Sequence, residues 1–110
     1  MIRVQLYENA IVVDGHARRN TNGAAECCAA VSAAMQTALA YYDVCGYDRK
    51  DITSPYQDHG GHMVIYTDRI KGDDNAMILA LVDILRAQAD TWPDDMKIEV
   101  VEDESYMPED

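Results

Sequence analysis

The chain has 110 residues, enough for a single domain spanning residues 1–110 that buries about two-thirds of its unfolded surface. A net charge of −11 repels phosphates and argues against direct nucleic-acid binding. No apolar run approaches the length of a membrane span, MIRVQLYENA lacks the regions of a signal peptide, and three cysteines cannot form a complete disulfide framework, so a reducing, cytoplasmic setting without a membrane partner is expected.

Residues 2–7 alternate, with Ile2, Val4 and Leu6 on one face and Arg3, Gln5 and Tyr7 on the other, the pattern of a half-buried strand. Glu8-Asn9 reads as a turn. Ala10 to His16 reads as the second strand of a hairpin, rich in the β-formers Ile11, Val12 and Val13. Asp14 precedes His16 by two positions and shares its face of the strand, either orienting the imidazole or standing as a solvated charge. Residues 17–25, ARRNTNGAA, form a polar loop able to close over a peptide. Its Arg18 and Arg19 are either a steering pair for a carboxylate or ordinary surface arginines.

From Glu26 to Tyr42 the period is helical, and Cys28, Val31, Met35, Ala38, Leu39 and Tyr42 recur at three- and four-residue steps. This register places Cys28 at the N-terminal edge of the buried face and Cys27 about 100° away from it. Ser32 follows Cys28 by one turn. Cys45 reads as packing, with Gly46 after it as the C-cap. Residues 46–61 form a long polar connection, either a partner-binding loop or a variable insert. His62 to Thr67 is a third strand. Asp73 to Asp90 is a second helix, with Asp73 or Asp74 as N-cap and an apolar face of Ile78, Leu81, Val82, Leu85 and Ala89. Pro93 ends it. Met96 to Val101 is the fourth strand, and the acidic tail 102–110 is expected to fray.

The order is β-β-α-β-α-β. It predicts an α+β fold, a two-layer sandwich with two helices packed on one four-stranded sheet. The second face of that sheet, with Tyr7, Val64 and Tyr66, either needs cover, which a second copy of the chain can supply, or remains polar.

The chemistry concentrates between Gly15 and Ser32. His16 leaves the end of a strand, and Cys28 enters the first turn of a helix. A free thiol is only roughly 3% thiolate at neutral pH. A helix N-terminus and a nearby imidazolium both favour the anion. Together a histidine and a cysteine supply a nucleophile and a general acid for acyl transfer. The chain between them can extend over roughly 40 Å, so they meet only if the loop folds back. The alternative is an inert helix cysteine and a surface histidine. His59 and His62 with the cysteines lack Cys-x-x-Cys or His-x-x-x-His spacing, so neither a metal nor a cofactor is expected.

Gly15-His16-Ala17, then Gly23, then Cys28-Ala29-Ala30-Val31-Ser32 resemble the ribosomal-processing cysteine protease family. That family pairs a GHA motif with a CAAVS motif at the His-to-Cys spacing present here. The resemblance implies a small homodimeric α/β thiol protease that removes an N-terminal extension from a large-subunit ribosomal protein, or, in phage-encoded relatives, processes capsid or scaffold proteins. It implies His16 as base and Cys28 as nucleophile. Gly15, Ala17, Gly23 and Ser32 are the substrate-binding positions expected with them. Where the family often carries Asp three residues before the cysteine, this chain has Ala25, with Glu26 beside it. The acidic chain either suits a basic protein substrate such as a ribosomal protein tail or simply keeps the protein in solution. Two rivals remain at this point: a non-catalytic protein-binding domain that keeps the motif, and a thiol redox protein using Cys27 and Cys28.

Overall fold

The computed structural model describes residues 1–15, 24–54 and 62–107. Among these the elements run β1 (Ile2–Leu6), β2 (Ile11–Asp14), α1 (Ala24–Val44), α2 (Arg49–Ile52), β3 (His62–Ile65), α3 (Asn75–Thr91) and β4 (Met96–Val100), with single 3-10 turns at Thr67–Arg69 and Gly72–Asp74. The strands form one mixed sheet in the order β3-β2-β1-β4. β2 is antiparallel to both β1 and β3, and β4 runs parallel to β1 with Ile2 opposite Met96. This is the α+β architecture the alternating and helical periods predict.

The alternation decides which face is which. Ile2 and Val4 of β1, Ile11 and Val13 of β2, Ile65 of β3 and Met96 of β4 are buried in one cluster with Val31, Met35, Leu39 and Tyr42 of α1 and Leu81 and Leu85 of α3. The two long helices run antiparallel on this face. The Tyr42 hydroxyl near the end of α1 donates to the Asp74 carbonyl before α3, at 2.8 Å. At the opposite end Gln88 Nε2 donates to the Ala30 carbonyl, at 3.1 Å. Gly46, at φ +94°, ends α1, and the Tyr47 N–H returns to the Tyr42 carbonyl at 3.0 Å.

Three features depart from expectation. The 46–61 connection contains α2, capped by Asp48 on the Lys50 N–H at 3.0 Å and anchored by fully buried Ile52. Asp74 holds the N-cap position of α3 but makes no side-chain cap bond; its Oδ2 accepts from the Tyr47 hydroxyl instead, at 2.8 Å. The acidic tail docks in part on the second sheet face. Tyr106 stacks edge-on to Tyr7 at 5.5 Å between centroids, and its N–H donates to Asn9 Oδ1 at 2.7 Å. Asn9 Nδ2 returns a bond to the Tyr106 carbonyl at 3.1 Å. Tyr7 and Tyr106 pack against Ala10, Val12, Val64 and Tyr66 in a second small cluster. The tyrosine face expected to meet a second copy is therefore covered by the chain's own C-terminal segment. Residues 108–110 lie outside the described residues. No helix among the described residues is long and apolar enough to cross a membrane.

Candidate active site

α1 begins at Ala24, two residues earlier than its period predicts. Cys28 is thus its fifth residue, and in an i to i−4 ladder its N–H is committed to the Ala24 carbonyl. The unpaired donors of the helix start lie on the residues before it. Because helical Cα–Cβ bonds tilt towards the N-terminus, the Cys28 side chain lies over that turn, at the positive end of the helix.

The two cysteines exchange the positions their spacing suggests. Cys27 is completely buried in the main core, whereas Cys28 is half-buried and packs at its edge. The reason is the second helix. Ala30, Ala34, Leu81 and Gln88 line the groove where α1 meets α3, so α1 is covered on that flank as well as from below. Cys27 precedes Ala30 and Ala34 by three and seven residues, so it shares their flank, and it lies in one core cluster with Leu81 and Leu85. A stripe drawn against the sheet alone favours Cys28. Burial pushes the Cys27 thiol up from its ordinary range, and neighbouring Cys28 and Asp95 push it the same way. Cys28 therefore stands at the accessible edge of the core, and Ser32, one turn on, is exposed.

The sheet end that precedes His16 in the chain is built by the end of β2 and the starts of β1, β3 and β4. Gly15 takes φ +91°, and a Cβ there would collide with the Met1 carbonyl, so only glycine fits. Its N–H donates to Asp14 Oδ1 at 3.0 Å. Asp14 Oδ1 also stands 3.4 Å from His62 Nδ1, its partner in the β2–β3 register. By that register Asp14 and His62 share the face of Val12 and Val64, away from the helices. Their pair is therefore separate from Cys28.

His16, Ala17 and Gly23, together with Arg18, Arg19 and His59, lie outside the described residues, as do loop residues 17–23. Of the expected site residues, the structure places Gly15 at the end of β2 and Cys28 and Ser32 along α1. Cys45, expected to pack, is exposed at the end of α1. Among the described residues no group of three or more His, Cys, Asp or Glu is arranged to hold a metal. Sequence reasoning missed Asp95, which is buried at this end of the sheet while Asp94 beside it is exposed. Nothing in the pair Asp94-Asp95 marks one as buried.

No family model matches the sequence, and no curated protein matches it. Solved structures do. The crystal structure of an essential ribosomal processing protease, Prp, from S. aureus in complex with a covalently linked product peptide aligns at a TM-score of 0.71 and 19% identity, over 92% of this chain and 100% of that one. The same protease in complex with a substrate peptide gives 0.67 and 18%, over 92% and 100%. SMU.848 from Streptococcus mutans gives 0.67 and 17%, over 90% of each chain. The chain therefore shares the fold of the Prp ribosomal processing protease along nearly its whole length.

Proposed function

We propose that the chain is a cytoplasmic cysteine endopeptidase that cleaves one site near the N-terminus of a protein substrate, with Cys28 as nucleophile and His16 as its base. The observation that carries this reading is the half-exposed Cys28 at the start of a long helix, on a fold shared with a protease solved with a covalently linked product peptide. Cys28 Sγ attacks the scissile carbonyl carbon, and a C–S bond forms. Free N–H groups in the turn before Cys28 hold the oxyanion. His16, protonated by the thiol, gives its proton to the leaving amine as the C–N bond breaks. Water then hydrolyses the thioester, His16 takes its proton, and the thiol is restored. Gly15, Ala17, Gly23 and Ser32 contact the substrate.

The substrate is a ribosomal protein extension, with a phage capsid or scaffold protein as the second reading. The basic charge of ribosomal tails complements this acidic chain. The active form is a homodimer, for which exposed Leu79 and Ile84 on α3 offer apolar surface. Comparing protein N-termini from cells producing the wild type with those producing Cys28→Ser tests the reading. A new N-terminus confined to the wild type supports it, and its sequence identifies the substrate. Identical sets of N-termini would leave only a binding domain.

A further inference from the structure

In a chain with 20 acidic and 9 basic residues, α1 carries no charged side chain between Glu26 and Asp43. Ala33 and Thr37 lie on its exposed flank. With Ala30 and Ala34 they form one wall of the α1–α3 groove, a space of about 250 Å³ whose other wall is Met77, Leu81, Ile84 and Gln88. Ile84 is 48% exposed, whereas Leu81 is buried. The space falls below the about 300–1,000 Å³ typical of small-molecule pockets and suits a few side chains of a docking segment. At one end Gln88 Nε2 donates to the Ala30 carbonyl, and its Oε1 is buried with no hydrogen-bond partner among the described residues. Buried acceptors are rarely left so, and a docking group that brings a donor would complete this one.

Charge returns at the rim, and it is mostly negative. Glu26 lies one turn before Ala30, at the same end of the groove as Gln88. Asp83 and Asp90 stand about 100–120° round α3 from Ile84, with Arg86 the one basic side chain of that helix. All four are exposed. Asp43, at the far end of α1, is paired with Arg49 at 2.9 Å. An uncharged groove bordered by carboxylates is complementary to an apolar stripe flanked by lysine or arginine. A second copy would bring the same carboxylates against this rim. Leu79 lies about 140° round α3 from Ile84, so a dimer seated on Leu79 leaves the groove open.

We propose that the α1–α3 groove receives the apolar face of a basic amphipathic helix from a partner protein. The groove runs between two antiparallel helices, and a third helix packs there as a ridge between them. Alanines at positions 30, 33 and 34 let its backbone come close. Their three- and four-residue steps match the spacing of apolar anchors on a docking helix. From Ala30 to Tyr41 the wall is about 16 Å long, or about three turns of such a helix. This seat is independent of Cys28 and His16.

The probe is a synthetic helix of about 18 residues, with leucines at i, i+3, i+4 and i+7 and lysines elsewhere. Its binding to the full chain is read by titration calorimetry, beside a scrambled peptide of the same composition. The amphipathic peptide should bind at least about tenfold more tightly than the scrambled one, which senses only the acidic surface. Ala33→Trp fills the groove from an exposed position, and should weaken the amphipathic peptide about tenfold while leaving the scrambled one unchanged. Asp83→Asn with Asp90→Asn should weaken it about threefold at low salt and not at high salt. No binding, or equal binding of the two peptides, would reduce the groove to bare surface. Unchanged binding in Ala33→Trp would place the seat elsewhere, and unchanged low-salt binding in the aspartate variant would leave the rim without a part. A wild-type dimer in light scattering that Ala33→Trp dissociates would assign the groove to a second copy. Each of these overturns the proposal. Should circular dichroism show that Ala33→Trp does not fold, Thr37→Trp is read by the same outcomes.

Discussion

Serine substitutions at the two adjacent cysteines should separate stability from chemistry. Cys27 is completely buried in the main core. Replacing its sulfur by a hydroxyl puts a polar group where water does not reach, a change worth about 1–3 kcal/mol. A helical serine can bond back to the carbonyl four residues earlier, which brings the loss to about 1–2 kcal/mol. In a domain of this size each kcal/mol shifts Tm by roughly 4–8 °C, so Cys27→Ser should lower Tm by roughly 5–15 °C. Cys28 is half-buried at the core edge, and the same exchange there should cost less than Cys27→Ser and under about 1.5 kcal/mol. Activity should rank the other way. Cys28→Ser should abolish cleavage, because a lone histidine does not readily ionise a hydroxyl, and Cys27→Ser should retain it. Thermal melts followed by circular dichroism give the first ranking. N-terminal comparison of cells producing each variant gives the second. An active Cys28→Ser with a dead Cys27→Ser, or equal melting losses, would refute the placement of the two thiols.

Three further outcomes follow from particular contacts. Burial pushes the Cys27 thiol up from its ordinary range, and burial of Tyr42 pushes its hydroxyl up to about 12. A folded pKa above the unfolded one means stability is full below the unfolded value and is lost as pH rises through the folded value. Urea midpoints should therefore fall between about pH 8 and pH 11, and fall less in Cys27→Ala. Asn9→Ala removes both bonds to Tyr106 and should cost about 1–3 kcal/mol in urea unfolding. Combined with Tyr106→Ala the losses should be less than additive, and full additivity would mean that the tail does not dock. Gly15→Ala meets both the positive φ and the Met1 carbonyl, so it should lose at least about 1–3 kcal/mol; an unchanged Tm would contradict the close approach.

Much of this was legible from residue periods. The alternation of Ile2 and Val4 with Arg3 and Gln5 assigns the faces of β1 because the strand repeat is two. The helical repeat likewise assigns Val31, Met35, Leu39 and Tyr42 to the core. It failed at Cys27 and Cys28, where the partner on α1's flank, α3, lies more than forty residues on in the chain. The tail failed for the same reason, since Asn9 and Tyr106 are 97 residues apart. α2 escaped notice because one apolar anchor, Ile52, fixes a turn too short for any periodicity. At the proposed site the GHA and CAAVS spacing pointed to His16 and Cys28, and only Cys28 lies among the described residues. The burial of Asp95 was invisible, because it comes from the meeting of the α3–β4 turn with β1.

The central claim is that Cys28 is an activated nucleophile, and the most direct measurement is the site of limited alkylation by iodoacetamide at neutral pH, read by mass spectrometry. Exposure alone ranks Cys45 first, Cys28 second and buried Cys27 last. An activated nucleophile reverses the first two. Labelling that reaches Cys28 well ahead of Cys45, and falls to the Cys45 rate in His16→Ala, is the predicted result. Labelling led by Cys45, with Cys28 indifferent to His16→Ala, would contradict the account.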